Sequence, residues 1–185
     1  MYNVLPGPFS SQASRPAQAR QRRSPIDIQK GDSIHHPQHG IGRVQSIRER
    51  SFSSAPAASY AELYFKRDGL TLTLLEKDLD KTVRNLINSK EAKQLLTDLK
   101  EWEGKAHKQW KSRAEANQRA IESGDAFEYA KVFKSLNRLA AKDELRPRDK
   151  AHMNLSLDML TEELCSALGK TQRQVRKMIT QAGAV

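Results

Sequence analysis

A single change of hydrophobic period constrains this chain most. Leu70-Thr-Leu-Thr-Leu74 alternates strictly, as a strand with one buried face requires. From Ala92 onward the apolar residues instead recur at helical spacing, as Ala92, Leu95, Leu96, Leu99 and Trp102. A pattern that switches once, from strands to helices, specifies an α+β chain in two parts. The apolar fraction is 37%, below the ~45–50% of an ordinary globular chain. That suits one or two small cores and excludes the large core of a big enzyme.

Residues 26–88 read as the β part. Ile34, Ile41, Val44, Ile47, Leu63, Phe65, Leu70, Leu72 and Leu74 fall in short alternating runs. Gly31-Asp32 opens the first strand and His39-Gly40 separates it from the second. Asp68-Gly69 marks a hairpin, because glycine supplies positive φ cheaply. Four or five such strands make a small, strongly bent sheet or SH3-like barrel. Ser53 to Ser59 reads as a loop tip. His35, His36 and His39 carry a metal-ligand type of side chain. On a strand, however, His35 and His36 point to opposite faces, so a turn or structural role is expected and no metal.

Residues 89–185 read as an all-α bundle of about five helices. Ser89 is a candidate cap for the first. A second runs from about His107 to Ile121 and stops at Ser123-Gly124. Asp125 and Glu128 form a capping-box pattern for the third. Pro147 suits the first turn of a fourth, which ends at Gly169. Thr171 and Gln174 cap a short fifth.

Charge divides the chain differently. The net formal charge is +10. Residues 1–25 contain four arginines and no acid, and their Pro, Ser, Gln and Ala content reads as a disordered basic tail. Residues 26–80 hold 7 basic and 8 acidic side chains, a net −1, and residues 81–185 hold 21 and 14, a net +7. The helical part therefore has an electrostatic reason to meet an acidic partner such as nucleic acid, and the β part has none. In the second helix Trp110 stands among Lys108, Lys111, Arg113 and Arg119. Trp110, Ala114, Asn117 and Ile121 share helical spacing, so Trp110 is either a core residue or an exposed ring flanked by phosphate-binding cations. The exposed ring could wedge into a distorted minor groove or stack on an unpaired base.

Two stretches carry a family resemblance. Gly31-Asp32-Ser33-Ile34-His35-His36-Pro37-Gln38-His39-Gly40-Ile41-Gly42-Arg43-Val44 resembles the opening of the CarD-like bacterial transcription regulators. It is similar also to the RNA-polymerase-interacting domain of transcription-repair coupling factor. Trp110 followed by Ser123-Gly124-Asp125 matches the same family's helical half. The resemblance implies a Tudor-like barrel that binds the RNA polymerase β subunit through Arg50 and the position of Thr73. It also implies a helical domain in which Trp110 props open promoter DNA at the upstream fork, stabilising the open complex. Thr73 stands where the family has a basic residue, Leu75 where it has proline, and Ser112 and Arg113 where it has an arginine pair.

Other classes are weaker. Leu164 to Ile179 has the cadence of a helix-turn-helix, with Gln172, Arg173, Arg176 and Lys177 able to reach base edges, so a sequence-specific reader built on residues 161–181 is the alternative. A protein-only adaptor is a further possibility. Leu168-Gly169-Lys170-Thr171 lacks the earlier glycine of a phosphate-binding loop, since position 164 is Leu. No constellation supports an enzyme, and no cofactor is expected. The lone cysteine, Cys165, reads as a structural thiol in a cytoplasmic setting. No apolar run spans a membrane, and the absence of a heptad seam favours a monomer.

Overall fold

The computed structural model describes residues 26–51 and 56–184. The tail at 1–25 and residues 53–55 of the expected 53–59 loop tip therefore lie outside the described residues, and Ala58 and Ser59, expected in that loop, belong to a strand. Five strands come first: β1 (Ser33–His36), β2 (Gly40–Arg50), β3 (Ala58–Phe65), β4 (Leu70–Leu75) and β5 (Arg84–Asn85). They form one antiparallel sheet in the order β4-β3-β2-β1-β5. Closing it into the expected barrel would require β4 to pair with β5, and no such ladder occurs among the described residues. A register shift between Val44 and Ser46 keeps Val44 inward and Arg48 and Arg50 outward beyond it. Gly42 allows Phe65 to lie against the β2 backbone, because a Cβ there would sit 2.5 Å from the ring. Ile28, Ile34, Val44, Ala61, Leu63, Phe65, Leu79 and Val83 form the apolar cluster of this part.

A 3₁₀ turn (Glu76–Asp78) and one helical turn, α1 (Leu79–Thr82), lead into β5; neither was anticipated. Then follow α2 (Ser89–Glu101), α3 (Trp110–Glu122), α4 (Ala126–Ala140), α5 (Pro147–Leu168) and α6 (Gln172–Ala182). The chain is thus mixed α+β, and α2 to α6 share a second apolar cluster running from Ala92 to Ile179. The caps explain the boundaries. Asn88, one residue before the expected Ser89, accepts from the N–H groups of Lys90 and Glu91. Asp125 accepts from Phe127, and Thr171 with Gln174 completes a reciprocal capping box. Pro147 occupies the first turn of α5, and Gly169 ends it with φ of 62°. No helix of the described residues is long and apolar enough to cross a membrane.

Sheet and helices meet at a polar seam. Arg84 of β5 donates to both carboxylate oxygens of Glu163 on α5, at 2.8 Å for the Nη2–Oε2 bond. Its Nε–H donates to the Gly124 carbonyl. Glu163, 0% exposed, also accepts from the Ile87 N–H at 3.0 Å. Gly124 has φ of 72°, and a Cβ there would meet Pro37 at 2.9 Å. His35 and His36 do diverge: His35 lies against Tyr129 of α4, and His36 against His39 and Phe65. Burial pushes His35 down to about 3, so the ring is neutral where it faces Arg84.

Removing one member of a buried ion pair costs about 3–5 kcal/mol, because the partner charge stays buried without compensation. Glu163→Gln should lose that much stability in urea unfolding, and Arg84→Met/Glu163→Leu should recover part of it. A loss below about 1 kcal/mol for Glu163→Gln would mean that the pair is solvated rather than sealed.

Candidate nucleic-acid interface

Helix α3 begins at Trp110, three residues later than periodicity suggests. The cause is a set of cations turned inward. Lys134 donates to the carbonyls of Leu99 and Lys100, Arg138 to those of Trp102 and Gly104, and Arg113 to those of His107 and Lys108. Six carbonyls, two in the last turn of α2 and four between α2 and α3, are thereby satisfied by side chains. Trp102, expected on the apolar stripe of α2, instead sits at its C-terminal cap with the Arg138 guanidinium 5.9 Å from its ring. Lys134 is 2% exposed, and burial lowers its ammonium pKa.

Trp110 therefore opens a helix on a fixed ledge, and it is 43% exposed. Of the two readings open from sequence, core residue or exposed ring, the structure selects the second. Lys111 Nζ lies 5.7 Å from the ring centroid and the Arg146 guanidinium 5.5 Å. Lys108 is exposed two residues earlier. These groups border a cleft of about 510 Å³ that includes Leu139 and Glu144. Arg146 escaped the sequence reading because it lies 36 residues beyond Trp110. The available signal was Pro147, which places the preceding residue at a helix start.

Two of the anticipated cations do not join this site. Arg113 is 5% exposed. Its Nε and Nη2 bind the two carboxylate oxygens of Asp149, at 3.0 and 2.6 Å, so a phosphate cannot reach it. This corrects its expected role as a DNA-contacting cation: it holds the α3 start against α5. Asp149 also accepts from the Arg146 N–H at 3.3 Å. The Arg113 hydrogen bond holds the Asp149 carboxyl below its usual range. Arg119 is exposed, but it follows Trp110 by nine residues, half a turn round α3 and about 13 Å along it.

On the sheet, Arg50 ends β2 and pairs with Glu62 of β3. Glu62 also accepts from Ser46 Oγ at 2.8 Å and lies directly across the ladder from the exposed Thr73. The Ser46 hydroxyl and the Arg50 charge keep the Glu62 carboxyl low. Arg50 and Thr73 thus gather round a carboxylate the sequence reading did not single out. In the alternative region, Arg173 and Lys177 are exposed on α6, and Arg176 is engaged with Asp158 at 2.5 Å. Cys165 is half-buried against the helical core, where desolvation raises its thiol pKa.

Residues 94–180 match the family model described as CarD, C-terminal domain. That stretch contains Trp110, its neighbouring cations and Gly124. The chain is also 24% identical over 149 residues to the Bacillus subtilis (strain 168) protein named "Putative transcription factor YdeB", covering 80% of this chain and 97% of that one.

The Asp149 carboxyl is held below its unfolded value of 3.8. Its stabilisation is therefore complete above that value and is lost as pH falls through the lower folded pKa. Asp149→Asn should be less stable than the wild type at neutral pH, and the gap should close on acidification. A gap independent of pH would show that the amide loses shape or hydrogen bonds rather than charge.

Proposed function

We propose, on the premise that the chain is CarD-like, that it is a transcription regulator that grips RNA polymerase with its sheet and promoter DNA with its helices. The observation that carries this reading is the exposed indole of Trp110, ringed by Lys108, Lys111 and Arg146 at the start of a rigidly held helix. An apolar plane flanked by cations has the chemistry to fill a base step that has been unstacked, while the cations meet the adjoining phosphates. Unstacking costs a few kcal/mol per step, and a filled gap offsets part of it. The upstream edge of a melted promoter offers such a step already opened.

The relative's name supports transcription as the setting. The β subunit of polymerase is the partner we assign to the sheet, with Arg50 and the Thr73 position at the contact. Bound there, the helical part works at a high local concentration, so a weak intrinsic affinity for DNA suffices. Stabilising the open complex by about 1.4 kcal/mol changes its population tenfold. Selectivity then comes from the polymerase and from the shape of the fork, not from base reading. A second reading keeps α5, Gly169 and α6 as a sequence-specific helix-turn-helix, since Arg173 and Lys177 are exposed on α6. Selection from random duplexes separates the two, because a reader enriches one site and a fork stabiliser enriches none.

With purified polymerase, the wild type should lengthen open-complex lifetime and Trp110→Ala should abolish most of the gain. The folding stability of that variant should stay within about 0.5 kcal/mol of the wild type, as for other exposed positions. An unchanged lifetime gain would remove the wedge. Separately, Arg50→Glu should weaken capture of the β subunit about tenfold through charge reversal at the contact. Undiminished capture would take Arg50 out of the interface.

A further inference from the structure

A second cleft, of about 730 Å³, adjoins the one beside Trp110 and shares Lys108, Arg113, Leu139 and Glu144 with it. One wall is the 103–109 segment, and the other is the last turn of α4 with the residues that follow it. We infer that this groove is a binding site for an unpaired DNA strand, receiving the nucleotides next to the base that meets Trp110. The inference rests on the wedge reading and extends it from one residue to a path.

Three observations carry it. The first is composition: Ala106 and Leu139 give the groove apolar surface, while Lys105, Lys108 and Lys142 are exposed cations on both walls, with no ion pair among the described residues. Sequence-tolerant binding of single strands combines cations for the phosphates with aromatic planes for the bases, and here the plane is Trp110 at the end of the groove while Ala106 and Leu139 give apolar floor beside it. A paired duplex keeps its base faces stacked and offers such a floor nothing. The second is continuity, since the groove opens onto Trp110, an aromatic plane, through the shared Lys108 and Leu139. The third is rigidity. The 103–109 wall is fastened by Arg138 at Gly104 and by Arg113 at His107 and Lys108, so little order remains to be imposed on binding. Glu103 and Glu144 also line the groove. Against these two carboxylates stand the three exposed cations, Lys105, Lys108 and Lys142.

The test uses the full chain without polymerase and three labelled DNA probes: a paired duplex, the same duplex with unpaired arms of about eight nucleotides, and the arm strand alone. The wild type should bind the forked probe about tenfold more tightly than the duplex, equivalent to about 1.4 kcal/mol. Lys105→Gln/Lys142→Gln should reduce that preference to about twofold or less. Lys90→Gln/Lys93→Gln, which removes the same charge from the exposed face of α2, should leave it intact. Equal losses in the two double variants would mean that net charge alone acts and would overturn the groove. No preference for the fork in the wild type would overturn it as well. If Trp110→Ala abolishes the preference while Lys105→Gln/Lys142→Gln retains it, the groove fails and the wedge stands. A lengthened open-complex lifetime measured alongside an absent fork preference would likewise sink the groove alone.

Discussion

The sheet and the helices are joined by a small set of polar contacts, and the most deeply buried of them is one ion pair. Arg84, on the edge strand β5, binds Glu163 from two guanidinium nitrogens and the Gly124 carbonyl from a third. The pair joins the last strand, the α3–α4 turn and the C-terminal part of α5 in one arrangement. A well-packed apolar contact would tolerate sliding, whereas a bidentate pair with its remaining lone pairs satisfied does not. Under the proposed function that fixed geometry matters more than any net stability the pair supplies, because it sets where the Trp110 edge stands relative to the sheet.

The second theme is the use of cations as internal fasteners. Arg113, Lys134 and Arg138 are turned toward backbone carbonyls, and together they shape the segment that ends at Trp110. Each terminates the idea that a basic residue in this half must face solvent. The net charge of the helical part therefore overstates the charge available to a partner. What remains outward near the indole is Lys108, Lys111 and Arg146, with Lys105 and Lys142 farther along the groove.

Much of the fold was legible because its determinants are local. The Leu70–Leu74 alternation became β4, the stripe from Ala92 became α2, and Gly169 with Thr171 placed the α5–α6 turn where their chemistry requires it. As local structure, the Ser123-Gly124-Asp125 motif showed a helix stop and the cap of the next helix. Its larger role, making room for Pro37 and offering a carbonyl to Arg84, depends on residues distant in the chain. The same limit hid the start of α3, which side chains of α4 and Arg113 determine. It also hid the burial of Arg113, since Asp149 lies 36 residues away. Strand number left open a strongly bent sheet or a barrel, and among the described residues β5 pairs with β1 while no ladder joins β4 to β5. For the site, the exposure of Trp110 was one of two readings that helical spacing alone could not separate. The packing of the 102–109 segment decides between them.

The most direct test of the account is where residue 110 lies in a promoter complex. A photo-crosslinking amino acid placed there, in an assembly of purified polymerase and promoter DNA, reports its neighbours on irradiation. The account predicts crosslinks to nucleotides at the upstream edge of the melted region, and only when the DNA is open. Crosslinks confined to polymerase, or to closed duplex away from that edge, would contradict it.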